Sequence, residues 1–440
     1  MTLVPTVGAP RPLRPPRVAE AKLGSGMRIL VVRKPTVPRV EVRLVCGLGD
    51  TRNLAVERVL AKTLTSGTES RSSTDIAEEI QRLGATFGAA VGLDHFQLSG
   101  SVLSANLRPF LELCADVLMH STFPSDEVDL ERARLTQELE MSRSQPQVVA
   151  TEALRKRLFG RHRYAKVLPD PAAVSRVSRT ALQRLLTQTI GPRGGFVVVV
   201  GDVQPQAAIE AFASTIAKWR TRVAAPAKTV PDKPKRGPVV FVDRPGSVQT
   251  SIKMAGEIPK VGSDESYAVD IANTIFGGYF ISRWVDNLRE RHGYTYTPHS
   301  QPIYHRLANY LEISADVGAD VTAAALVETH YELGRMCAVD VEPDELLSAK
   351  RYRTGIQSLR IGSQAGLASV LAGLVTHGLG VDYLREFPKR VMALTAADVR
   401  EASERYLAPS RLVTVLVGDA SRVAAGVEPL DDVLVQPQTS

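Results

Sequence analysis

Residues 171–202 read PAAVSRVSRTALQRLLTQTIGPRGGFVVVVGD, and residues 388–419 read PKRVMALTAADVREASERYLAPSRLVTVLVGD. The two align without a gap at an offset of 217 residues, pairing Pro171/Pro388, Val174/Val391, Val177/Leu394, Ser178/Thr395, Pro192/Pro409, Gly201/Gly418 and Asp202/Asp419. Each copy carries the same signals in the same order. Ser178 and Thr395 suit an N-cap, where a hydroxyl accepts from the free N–H groups of a helix start. A short amphipathic helix follows, stopped by Pro192 and Pro409. Val197–Val200 and Val413–Val417 are then apolar, largely β-branched runs suited to a strand buried on both faces. Gly-Asp breaks that strand. An offset close to half of the 440-residue chain reads as two tandem copies of one domain.

Earlier parts of each half correspond as well. Residues 39–47 (RVEVRLVCG) and 247–256 (SVQTSIKMAG) alternate as strands do, and each precedes a helical stretch. Leu107, Phe110, Leu111, Cys114, Val117 and Leu118 form one helical stripe, which makes Cys114 a packed core thiol. Leu311, Ile313, Ala315 and Val317 alternate before a helix expected from about Asp320 to Arg335. Each half is therefore α+β, a mixed, mostly antiparallel sheet with helices on one face. The expected division is a flexible arm 1–20, a first domain 21–220, a Pro- and Ala-rich linker 221–238, a second domain 239–425 and a tail 426–440.

Composition narrows the function classes. With 44% apolar and 23% charged residues the chain is globular, not collagenous, disordered or a disulfide scaffold. No apolar run reaches the roughly 18 residues of a membrane span. Cys46, Cys114 and Cys337 are odd in number and far apart, so no disulfide framework or thiolate zinc site is indicated. The N-terminus lacks the apolar core of a secretory signal. Pro5, Pro10, Pro12, Pro15 and Pro16 oppose a helical transit peptide around Arg11, Arg14 and Arg17. The expectation is a cytoplasmic protein. The formal net charge is +7, but only Lys233–Arg236 is a local basic run, so neither nucleic acid nor a membrane is an expected partner.

Residues 276–296, FGGYFISRWVDNLRERHGYTY, carry the most specific signal. They resemble the "GG…SRL…LRE…G…Y" segment of the pitrilysin/insulinase-type zinc metallopeptidases, of the mitochondrial-processing-peptidase-like kind. His162-Arg163-Tyr164 is also similar to that family, and the resemblance extends from about Lys22 to Asp419. It implies a clamshell half built of two homologous domains. Active members carry an inverted zinc motif, H-x-x-E-H, on a helix of the first domain, with a second glutamate downstream. Anchoring on Gly67-Thr68 places Arg58, Ala61 and Lys62 at the histidine, glutamate and histidine positions. Two cations repel a divalent metal and the general base is missing. Glu138, in Glu131-x6-Glu138, matches the downstream glutamate. The eight histidines (95, 120, 162, 292, 299, 305, 330 and 377) form no H-x-x-E-H, H-x-x-x-H or H-x-H. No metal is expected on this chain.

The resemblance also implies that Arg289 and Tyr296 bind the substrate carbonyl, with Gly293 turning the chain between them and Gly277 and Gly278 contributing to substrate binding. A phenol and a guanidinium are donors suited to a developing oxyanion. Some members divide the work between two chains, one bearing zinc and the other the Arg/Tyr pair. The leading expectation is thus a catalytically incomplete subunit of a heterodimeric zinc endopeptidase. Its partner is a zinc-bearing homologous subunit and its substrate an extended peptide added to a strand edge. The alternatives are a purely structural core-type subunit and a peptide-binding homodimer.

Overall fold

The computed structural model describes residues 15–48, 53–219 and 229–438. Positions 1–14 of the expected arm and 221–228 of the expected linker lie outside the described residues.

Among the described residues the first half runs β1 (Ala19–Lys22), β2 (Arg28–Arg33), β3 (Arg39–Gly47), α1 (Leu54–Thr63), α2 (Ser73–Arg82), β4 (Thr86–Val91), β5 (His95–Leu103), α3 (Leu107–His120), α4 (Ser125–Arg143), α5 (Pro146–Phe159), α6 (Pro171–Ser175), α7 (Arg179–Thr189), β6 (Phe196–Gly201) and α8 (Pro205–Thr215). The second half runs β7 (Val239–Asp243), β8 (Gln249–Glu257), α9 (Asp264–Asn273), α10 (Arg283–Val285), β9 (His299–Tyr304), β10 (Asn309–Gly318), α11 (Thr322–Ala338), α12 (Pro343–Arg360), α13 (Gln364–Thr376), α14 (Tyr383–Ala393), α15 (Ala396–Tyr406), β11 (Val413–Gly418), α16 (Ala420–Val427) and β12 (Val433–Pro437). Two six-stranded sheets result, ordered β1-β2-β6-β3-β5-β4 and β12-β7-β11-β8-β10-β9.

The repeat holds rung by rung. Val42 pairs with Val199 in the first sheet, and Ile252 with Leu416 in the second. β6 runs parallel to β2, as β11 does to β7, while the remaining inner pairs are antiparallel. The expected caps form: the Ser178 hydroxyl accepts from the Ala181 N–H, and the Thr395 hydroxyl from the Asp398 N–H in a full capping box. Two boundaries differ from the sequence reading. β1 starts inside the segment read as an arm. The segment read as a tail holds β12, which pairs parallel with β7 and widens the second sheet by one strand.

The single-faced helix layer expected for each half is half of the arrangement. Val197 and Val199 face helices of their own half, with Val59, Phe110 and Leu186 in the same core. Val198 and Val200 face the opposite way, onto Leu367, Leu371 and Leu374 of α13, a helix of the second half. The exchange is reciprocal. Ala150, Leu154 and Leu158 of α5 cover Val240, Val242, Val413, Val415 and Val417 of the second sheet. The two halves are therefore interlocked, and the β-branched runs are buried on both faces, as their composition requires.

A polar junction reinforces this interlock. The Tyr164 hydroxyl donates to Asp94 Oδ1 (2.6 Å), and the Leu307 N–H donates to the Tyr164 oxygen (3.2 Å). The Arg306 N–H donates to Asp94 Oδ2 (3.0 Å). His305 stacks on the Tyr164 ring at 4.5 Å, and burial pushes its imidazole down to about 4. The charged and titratable groups that face it are Asp94, Arg155, His162 and His377. The pH sign follows from the neutral folded form. Below about 6.5 the unfolded imidazole takes up a proton that the folded one refuses. Stability is present above that pH and is lost as pH falls to about 4, by about 3 kcal/mol from this side chain. Glu57 opposes it. Burial pushes its carboxyl up to about 7, so its contribution is full below pH 4.5 and is lost as pH rises to 7. The difference in urea stability between wild type and His305→Gln is therefore expected to be flat above pH 6.5 and to shrink by about 3 kcal/mol towards pH 4. A pH-independent difference would reject the assignment.

Candidate functional site

α1 carries Arg58, Ala61 and Lys62 at i, i+3 and i+4, which places them on one face. α4 brings Glu138 to that face, and Lys62 Nζ stands 3.3 Å from Glu138 Oε2. Both side chains are half-exposed, so the pair contributes at most about 1 kcal/mol. Its chemical consequence is larger than its energy. The carboxylate that matches a metal ligand is paired with an ammonium. Arg58 is exposed on the same helix face, and Ala61 offers only a methyl group. Arginine, alanine and lysine at these positions offer no imidazole or carboxylate and do not fit zinc. Among the described residues no group of three or more His, Cys, Asp or Glu is placed to hold a metal.

The second constellation is built on altered helix geometry. Residues Thr274–Gly278 and Asp286–Arg291 are π-helical turns on either side of α10, a wide-turn geometry frequent at functional sites. Gly277 and Gly278 are needed for close approach. A Cβ on Gly277 would lie 2.8 Å from Ser300 Oγ, and one on Gly278 would lie 2.6 Å from Asn273 Nδ2. Gly293 has φ +64, a left-handed conformation that costs a side-chain-bearing residue energy. There the Gly293 N–H donates to the Arg289 carbonyl, the helix ends, and the chain swings toward Tyr296.

That turn brings the Arg289 guanidinium and the Tyr296 ring together. The Arg289 guanidinium lies 4.3 Å from the Phe280 ring centroid and 5.1 Å from that of Tyr296, held between two aromatic faces. Its Nε also reaches Glu290 Oε1 at 3.3 Å. Tyr296 is 78% exposed, and its hydroxyl makes no hydrogen bond with the described residues. Both residues open onto a cleft of about 470 Å³ lined also by Gly293, Tyr294, Gln249 and Asp316. Asp316 accepts from Ser251 Oγ (2.5 Å) and from Gln147 Nε2 (3.2 Å). Gln147 lies on α5, four residues after the end of α4. The helix that carries Glu138 thus leads directly to this cleft. Gly277 and Gly278 are not among the lining residues; packing against Ser300 and Asn273 accounts for them.

Sequence reasoning missed Phe280, Gln249 and Asp316. Asp316 was visible as the polar face of the alternating strand Leu311–Val317. Phe280 and Ile281 were visible as two apolar residues following Gly-Gly, and both are exposed.

Comparison with known proteins agrees with this fold. A family model described as insulinase (peptidase family M16) matches residues 28–172, and one described as peptidase M16 inactive domain matches residues 176–352. The chain is 27% identical over 363 residues to an uncharacterized zinc protease of Mycobacterium bovis, covering 80% of this chain and 78% of that one. It is 23% identical over 346 residues to one from Bacillus subtilis, covering 77% and 83%. The crystal structure of a peptidase M16 inactive domain from Pseudomonas fluorescens has a TM-score of 0.83 at 24% identity, covering 91% of this chain and 98% of that one. A protease from Helicobacter pylori has a TM-score of 0.85 at 16% identity, covering 92% and 100%. At such identities the solved structures establish the fold. With its two six-stranded repeats, its Arg/Tyr cleft and two adjoining family matches, the chain belongs to the insulinase family, peptidase family M16.

Proposed function

We propose that this chain is the zinc-free subunit of a heterodimeric M16 endopeptidase. It supplies Arg289 and Tyr296 to hold the substrate carbonyl while a homologous subunit bearing H-x-x-E-H supplies the metal. One observation carries the reading. A Lys62–Glu138 ion pair stands where the metal would be, while the Arg289/Tyr296 cleft remains open with an unused phenol hydroxyl. Within the cleft, Tyr296 O–H and the Arg289 guanidinium donate to a carbonyl oxygen as it becomes an oxyanion. Phe280 holds the guanidinium in plane by stacking. The scissile bond and the attacking water belong to the metal-bearing subunit, and the substrate is an extended peptide. The naming of similar chains as zinc proteases supports zinc chemistry in the assembly.

The experiment is peptidase activity of this chain alone, of an H-x-x-E-H homologue from the same genome alone, and of their mixture. Activity confined to the mixture is the expected result. Full activity of the homologue alone, indifferent to this chain, would leave a structural or peptide-binding role.

A further inference from the structure

A second cleft, of about 630 Å³, lies where the end of α5, the start of α1 and the segment 229–235 meet. That volume falls in the range of small-molecule sites. Its wall is unusual in charge. Among the described lining residues, Arg157, Arg161, Arg163, Lys166, Lys233 and Lys235 stand with two acids, Glu57 and Asp232. Some of this charge is compensated: Arg163 pairs with Glu57 at 3.3 Å, and Lys233 with Glu257 at 3.4 Å. Arg157, Arg161 and Lys235 form no ion pair among the described residues. Arg157 is the most telling of them, because it is part-buried near the end of α5 while still lining the cleft. The chain also makes room for its guanidinium. A Cβ on Gly237 would lie 2.1 Å from Arg157 Nη2, so the guanidinium end packs closely against the adjoining segment. A part-buried guanidinium without a counter-charge is costly unless an anion completes it. The floor beside these cations is apolar, formed by Leu54, Leu93, Leu158 and Phe159.

We propose that this cleft binds a small organic anion with a flat apolar body and two or more negative charges, the chemistry of a nucleoside diphosphate. The charged end is held by Arg157, Arg161 and Lys235 through charge-assisted hydrogen bonds, with Arg157 and Arg161 able to bind bidentately. The flat body lies on Phe159 and the leucines. Because Arg157 and Arg161 belong to the first half and Lys235 to the segment leading into the second, occupancy would tie the two together. The proposal is independent of the Arg289/Tyr296 cleft.

The test is calorimetric titration of the full chain in about 0.15 M salt, where long-range attraction to a basic protein is screened. ADP, inorganic pyrophosphate and adenosine are the probes. ADP is expected to bind in the micromolar range, pyrophosphate at least tenfold more weakly, and adenosine more weakly still. Arg161→Gln combined with Lys235→Gln, both at exposed positions, is expected to weaken ADP at least tenfold with an unchanged melting temperature. Arg157→Gln should do the same, and the exposed double variant keeps the test valid should Arg157→Gln disturb folding. No ADP binding, or ADP binding that survives the double variant, would overturn the site. ADP and pyrophosphate binding equally would overturn the assignment of an apolar body.

Discussion

Tyr296→Phe is expected to lower kcat of the proposed heterodimer by about 10²–10³-fold, the loss typical of removing one oxyanion donor. The substitution is unusually clean. The ring that stacks on Arg289 at 5.1 Å is kept, and only the O–H is deleted. With 78% of Tyr296 exposed and its hydroxyl unbonded in the free chain, stability should stay within about 0.5 kcal/mol of wild type. An interaction made only as charge develops lowers kcat and kcat/KM together and leaves KM nearly fixed. The measurement is a Michaelis series on the mixture of subunits, with the melting temperature of this chain as control. A fall of less than tenfold would remove Tyr296 from the carbonyl-binding role. Arg289→Gln should cost at least as much, because it also removes a positive charge from between Phe280 and Tyr296.

Leu371→Ala is expected to destabilise the whole chain by about 2–5 kcal/mol, the range for emptying a fully buried leucine site. Leu371 is fully buried on α13, yet the strands it covers belong to the other half. The mutation should therefore shift one cooperative transition rather than melt the second half alone. Leu154→Ala, the counterpart on α5, should act alike from the opposite side. Urea unfolding followed by two probes, one in each half, decides the matter. A mutant in which only the second half loses stability would contradict the interlock. By the same reasoning, residues 1–219 expressed alone would expose Leu30, Val32, Phe196, Val198 and Val200 together, an apolar strip expected to drive association.

Much of this was legible in the sequence, because local rules suffice for it. The offset of 217 residues gave the two-domain repeat. Ser178 and Thr395 gave helix starts, and the β-branched runs gave central strands. The pattern of residues 276–296 placed Arg289, Gly293 and Tyr296 in one segment. The lack of an H-x-x-E-H ligand set could also be read, since Arg58, Ala61 and Lys62 hold the three positions that the family resemblance assigns to it. Other features depend on contacts that no local pattern encodes. The apolar stripe of α5 or α13 specifies burial but not a partner, and two equivalent sheets were available to each helix. Only chain geometry sends each helix to the sheet of the other half. Lys62 and Glu138 lie 76 residues apart, so their ion pair appears only when α1 and α4 pack together. The stacking of Phe280 on Arg289 depends on π-helical turns that sequence periodicity does not announce. The cations around Arg157 come together because residues 229–235 lie beside the end of α5. Local chemistry thus determined the elements and the residue types at the degenerate zinc-motif positions, while long-range packing decided how the halves interlock and which side chains share a cleft.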